Sequence, residues 1–214
     1  MQSETPSAPY SRRAAIIRMA PILGLTFILA HFLRSAPAVI APNLRAELGL
    51  TPGELSSLPA AIFLGAALMQ LPVGVLLDRF GPRRTMAGLF SLAALGAIVF
   101  SVAQGVVGLA IGLFLIGCGA APVFMGVILL LSRWIARDRL ATGTAISIAV
   151  GGAGMLLSAS PFAAAVELYG WRTSLFVVGV ISFVVAGALL VMVRDRPDDA
   201  PHPASTETLL ETIL

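Results

Sequence analysis

Six apolar stretches, each long enough to cross a bilayer and set apart by short arginine clusters, leave this 214-residue chain little choice of fold. A helix needs about 20 residues to cross the hydrocarbon, more when tilted. The first stretch runs from about Ala20 to Ala41, the second from Leu55 to Leu77 and the third from Thr85 to Ala103. The fourth covers Val106 to Leu131, the fifth Ala141 to Val166 and the sixth Ser174 to Val193. Hydrophobic residues make up 57% of the chain and charged ones 12%. A soluble domain of this size cannot hide that much apolar surface. The expected fold class is therefore an all-α integral membrane bundle of six transmembrane helices.

The charges set the orientation. The chain has no lysine, and its arginines cluster at the ends of the apolar stretches. Arg12, Arg13 and Arg18 precede the first, Arg79, Arg83 and Arg84 follow the second, Arg133, Arg137 and Arg139 follow the fourth, and Arg194 and Arg196 follow the sixth. Only Arg45 and Arg172 fall on the other side, and this eleven-to-two split predicts both termini in the cytoplasm of a bacterial-type inner membrane. A net charge of +3 could suit nucleic acid, but arginines at helix ends form no basic face, which argues against a nucleic-acid partner. Residues 1–19 resemble the basic region of a signal peptide, yet the stretch behind them is too long and five more follow, so a retained first helix is expected. Residues 194–214 turn polar and proline-containing and read as a flexible cytoplasmic tail, with Thr206 to Leu214 able to begin an amphipathic helix.

Catalytic and metal chemistry find little footing. Cys118 is the only cysteine, and His31 and His202 are the only histidines. That leaves no thiol site and no expectation of a metal centre. An intramembrane hydrolase would need a nucleophile with its base, and no Gly-x-Ser motif exists. No cofactor motif is present either, so an enzyme is not expected.

The chain also matches itself at an offset of 89 residues. Gly65, Pro72, Asp78, Phe80, Gly81 and Arg83 correspond to Gly154, Pro161, Glu167, Tyr169, Gly170 and Arg172. An odd number of spans per copy inverts one copy against the other. Two such three-helix units, about residues 20–103 and 106–193, would form the bundle 20–193 around an axis in the membrane plane, a device of transporters. Chance likeness between glycine- and proline-rich helix ends is the competing reading.

The segment Gly74-Val75-Leu76-Leu77-Asp78-Arg79-Phe80-Gly81-Pro82-Arg83-Arg84 closely resembles the signature loop of the major facilitator superfamily. The resemblance covers the whole chain, but as the N-terminal half of a usual twelve-span carrier. It implies that Gly74, Asp78, Arg79, Gly81, Arg83 and Arg84 form a conformational latch between the two halves. On physical grounds alone Gly74 lets a neighbouring helix approach, Gly81 permits a tight turn and Asp78 can pair with nearby arginines. A topology-setting loop with a surface ion pair remains the plainer reading.

Arg34 lies inside the first apolar stretch, three residues after His31 on the same helix face. An intramembrane charge is by default a functional candidate. The alternative is snorkelling, since the outer end of the span lies only roughly 10 Å away. Arg34-Ser35-Ala36-Pro37-Ala38, then Pro42 and Leu44, resembles span one of organophosphate and organic-anion carriers in the same superfamily. The resemblance implies that Arg34 binds the anionic group of a small-molecule substrate. A planar guanidinium suits carboxylate or phosphate because it donates two parallel hydrogen bonds. His31 could line the pocket or merely pack, and Gln70 could touch substrate or join two helices. Pro37 and Pro122, in helices that would be pseudo-equivalent, could flex during alternating access or kink for packing alone. The glycines of spans four and five suit close helix approach rather than phosphate binding.

Two departures narrow the expectation. Many superfamily members carry an arginine linked to proton coupling where this chain has Leu113, just before Leu115-Ile116-Gly117-Cys118-Gly119. Span five also lacks the Gly-Pro pair of drug/proton antiporters. The reading is thus a half-carrier for a small organic anion, working as a homodimer or with a separate second six-helix half. A truncated, non-transporting membrane protein or scaffold subunit is the alternative.

Overall fold

The computed structural model describes residues 9–195. The elements are α1 (Pro9–Val39), α2 (Ala41–Leu48), α3 (Pro52–Val102), α4 (Val106–Trp134), a 3₁₀ turn (Arg137–Arg139), α5 (Leu140–Ser158), α6 (Ser160–Tyr169) and α7 (Trp171–Met192). They make six transmembrane helices. α1 and α4 supply spans 1 and 4. α3 supplies spans 2 and 3, because its backbone leaves the helical region at Gly81. α5 and α6 together form span 5, interrupted at Ala159 (φ −81°, ψ −103°), and α7 is span 6.

Two elements depart from expectation. α1 already begins at Pro9, ahead of Ala20, so part of the leading segment is helical. α2 was not anticipated: Pro42 sits in its first turn, where a missing N–H costs nothing, and Gly49 ends it in the left-handed conformation. The predicted tail beyond Asp195, including Thr206 to Leu214 and His202, lies outside the described residues. Span 2 starts on a capping box. Thr51 Oγ1 accepts the Glu54 N–H and the Glu54 carboxylate accepts the Thr51 N–H. Such a cap stabilises a helix start by about 1 kcal/mol.

The internal repeat is written into the backbone. Gly81 (φ 79°, ψ 161°) and Gly170 (φ 79°, ψ 153°), 89 residues apart, take the same conformation, one essentially reserved for glycine. Just beyond each, the same hydroxyl bond recurs. Thr85 Oγ1 donates to Leu76 O at 2.9 Å, and Ser174 Oγ, its counterpart, donates to Ala165 O at 3.1 Å. Each bond bridges nine residues and ties the two limbs of a helical hairpin together.

Glycines then let the units interlock. A β-carbon on Gly154 of span 5 would collide with the Ile28 carbonyl of span 1. One on Gly65, the counterpart in span 2, would collide with the Phe114 carbonyl of span 4, and one on Gly117 with the Ile62 carbonyl. Span 1 therefore packs on span 5 as span 4 packs on span 2, the exchange an inverted pair of three-helix units requires. Between lipid-bathed helices this close van der Waals fit replaces the hydrophobic drive of soluble cores. Phe90 and Phe100 of span 3 and Leu109, Leu113 and Ile116 of span 4 are fully buried where these two spans meet.

Six alternating crossings gather the Gly81 turn, the 3₁₀ turn and the end of span 6 at one end of the bundle, with Arg79, Arg83, Arg84, Arg133, Arg137, Arg139 and Arg194. α2 and the Gly170 turn, with Arg45 and Arg172, occupy the other.

Candidate functional site

A pocket of about 280 Å³ opens beside Arg34, between spans 1, 2 and 4 and toward the α2 end. Arg34, Pro37 and Ala38 come from span 1 and Leu44 from α2. Leu58, Ile62 and Phe63 come from span 2 and Leu113 from span 4. The local sequence explains the opening. Pro37 and Pro59 each lack an N–H for the helix ladder, and small Ala38 and Ala41 leave space opposite them. Arg34 is the only charged residue in the lining among the described residues. Among the described residues no hydrogen bond or ion pair engages its guanidinium. An unengaged guanidinium in an apolar wall can attract an anion with little competition from protein acceptors.

His31 and Gln70 stand elsewhere. The His31 imidazole is half-buried, its Nδ1 3.0 Å from the Phe27 carbonyl oxygen and its ring 4.8 Å from that of Phe27. The carbonyl partner puts the proton on Nδ1. The ring faces Gly151 of span 5, where any side chain would press on it. Its surroundings are thus the seam between spans 1 and 5, and it is not among the residues of the Arg34 pocket. Gln70 is exposed on span 2, about two turns past Phe63 on the same face. Ser35 adds a contact the sequence did not flag. Ser158 Oγ reaches Ser35 Oγ at 2.9 Å, and Ser35 donates to the His31 carbonyl at 2.7 Å. This bridge meets span 5 next to its interruption at Ala159.

The bundle holds a second pocket related to the first by the repeat. It measures about 210 Å³ and lies between spans 1, 4 and 5. Its lining includes Gly24, Val127 and Ser147, the counterparts of Leu113, Ala38 and Leu58 at the 89-residue offset. The counterpart of Arg34 is Val123, which is buried, and among the described residues no charged side chain lines this second pocket.

In the signature loop, Gly81 and Arg83 meet the end of span 6. The Arg83 N–H donates to Asp195 Oδ1 at 2.7 Å, and the Asp195 carboxylate sits so close to Gly81 that a β-carbon would be 2.9 Å from its oxygen. Arg133 reaches the Asp195 carbonyl and the Trp134 indole donates to the Arg194 carbonyl. Asp78 is exposed, Arg79 lies over the Phe80 ring at 5.4 Å, and Arg84 is exposed. Gly74 has open space around it. The acidic partner of this loop is thus Asp195, at the start of the polar tail. The opposite end has the matching clamp. Arg172 Nη1 donates to the carbonyls of Ser101 and Ala103 at 2.9 and 2.7 Å, and Nε donates to Glu47 at 2.8 Å. The Trp171 indole also donates to Glu47. The hydrogen bond from Arg172, then that from Trp171, hold the Glu47 carboxyl below the ordinary carboxylate range.

Comparison with known proteins completes this picture. The family profile described as Major Facilitator Superfamily matches residues 23–213. A putative tartrate transporter of Agrobacterium vitis is 24% identical over 88% of this chain and 43% of its own length. A probable sulfoacetate transporter of Cupriavidus necator is 27% identical over 83% of this chain and 41% of its own. A solved bacterial homologue of the human lysosomal transporter Spinster superposes with a TM-score of 0.72 at 19% identity, over 95% of this chain and 47% of its own. The chain thus spans less than half the length of these relatives.

Proposed function

This chain belongs to the Major Facilitator Superfamily, and from that membership we propose that it builds one half of a secondary carrier for a small organic anion. The carrier works by alternating access in an inner membrane, with both termini in the cytoplasm, as the arginine distribution argues. Arg34 binds the anionic group. The observation that carries this reading is the unengaged guanidinium in the wall of an otherwise apolar pocket. Relatives named for tartrate and sulfoacetate, both organic anions, support it. His31, in the adjoining seam, and Gln70, further along span 2, are secondary candidates for substrate contact. The loop from Gly74 to Arg84 serves as the latch that engages the second half at the cytoplasmic face.

That second half is a further six-helix unit. Spans 2 and 5 supply its docking face, because they expose large apolar side chains such as Leu68, Leu71 and Val75, and Ile148, Leu156 and Leu168. The bundle of residues 20–193, with units of about 20–103 and 106–193, is the body that moves against it.

The test begins with native mass spectrometry of the gently extracted particle, which should contain a second six-span unit. Calorimetric titration of that particle with small organic anions should then give binding that Arg34→Ala weakens at least tenfold. Arg34→Lys should restore only part of it, because the bidentate geometry is lost. Binding unaffected by Arg34→Ala would sink the reading.

A further inference from the structure

The walls of the Arg34 pocket say more about its ligand than the charge does. Apart from Arg34, the lining side chains are proline, alanine, leucine, isoleucine and phenylalanine, none of which donates or accepts a hydrogen bond. A backbone carbonyl only accepts hydrogen bonds, so none along these helices can hold a second carboxylate. One guanidinium neutralises one anionic group. A cavity of about 150 Å³ with apolar walls accommodates benzene, so the roughly 280 Å³ here holds a six-membered ring together with its carboxylate.

We infer that the subsite built by this chain selects a monoanion with an apolar body, such as a ring or branched monocarboxylate, over a polyhydroxylated or doubly charged acid. The inference rests on the anion-binding reading above and narrows it. It also separates this chain from the relative named for tartrate, since tartrate carries two carboxylates and two hydroxyls. Each such group pressed against the buried side chains of Leu44, Leu58, Ile62 and Leu113 loses its water without gaining a partner, and each loss weakens binding by on the order of tenfold. The apolar body of a ring monocarboxylate instead gains from the same walls.

The deciding experiment titrates the particle in lipid nanodiscs with benzoate, cyclohexanecarboxylate and tartrate by calorimetry. The two ring monoanions should bind at least tenfold more tightly than tartrate, and Arg34→Ala should remove that binding while leaving elution and melting temperature unchanged. Ala38→Ser and Phe63→Tyr each add a hydroxyl to the pocket wall at exposed positions and should narrow the preference at least threefold. Arg34-dependent binding in which tartrate equals or exceeds the ring acids would overturn the inference and leave the anion site standing. A preference indifferent to both hydroxyl-adding variants would overturn it too. Absence of any Arg34-dependent binding would bring down both.

Discussion

The pocket beside Arg34 and its counterpart between spans 1, 4 and 5 occupy matching places in the two repeat units, yet they differ along one helix face. Span 1 presents His31, Arg34 and Ser35, where span 4 presents Ala120, Val123 and Phe124. The seam between spans 1 and 5 accordingly carries the Ser35–Ser158 bridge, while the matching seam between spans 4 and 2 has Phe124 and Met69 at those positions. The inverted fold decides where cavities open, and three side chains decide which of them has chemistry. A scaffold of this kind can keep its packing near symmetry while its polar groups diverge, because the glycine seams meet backbone carbonyls that are the same whatever the side chain.

That comparison can be broken most forcefully at the glycine seams. Gly154→Val and Gly65→Val each drive a side chain into a facing backbone carbonyl that cannot step aside. Each should cost about 3 kcal/mol and lower the melting temperature of the detergent-solubilised protein by similar amounts. A large inequality between the two would mean that the two seams do not bear load alike.

The turns offer a sharper test. Gly81→Ala and Gly170→Ala both force a side chain into a backbone region that costs on the order of 1–3 kcal/mol. At Gly170 the new methyl meets open space, whereas at Gly81 it meets the Asp195 carboxylate. Gly81→Ala should therefore be the more destabilising, and Asp195→Ala in the same chain should reduce the difference. Equal melting temperatures for the two alanine variants would remove Asp195 from the account.

The smallest effect concerns the clamp at the α2 end. The Glu47 carboxyl titrates below its ordinary value of 4.5 when folded. A depressed acid stabilises the fold above its unfolded value and loses that contribution as pH falls through the folded one. Lowering the pH from neutrality to below 4.5 should thus weaken the tie between α2 and the Gly170 turn, by less than about 1 kcal/mol because the pair is exposed. Glu47→Gln should flatten that part of the pH profile. An unchanged profile would show that Arg172 is held by the Ser101 and Ala103 carbonyls alone.

Much of this architecture was readable from the chain because membrane helices have few ways to be built. Apolar length gave the six spans, and the 89-residue self-match anticipated the shared conformation of Gly81 and Gly170. Arg34 was legible because a charge among apolar neighbours is costly wherever it lands. The walls of its pocket were not, since Leu58 or Ile62 looks in sequence like any other apolar residue. The contact of Asp195 was not legible for a related reason. Polar composition marks a segment's average preference for water, while its first residue can still be fixed by a single N–H presented from 112 positions away. α2 was hidden by its shortness, because eight residues carry too little periodicity to distinguish a helix from a loop.

The joints between spans give the bundle a mechanical character. Span 2 passes into span 3 through Gly81 alone, and span 5 into span 6 through Gly170 alone. Each of these pairs is a lever folded on one pivot and pinned by a hydroxyl across its throat. Spans 1 and 4, by contrast, lead into the levers through longer links, α2 in one unit and the 3₁₀ turn in the other. The assembly is a linkage of two stiff arms and two slack-coupled rods. Arg34 rides on one of the rods, within the stretch where that rod is keyed into the opposite arm through Ile28, Ser35, Gly154 and Ser158.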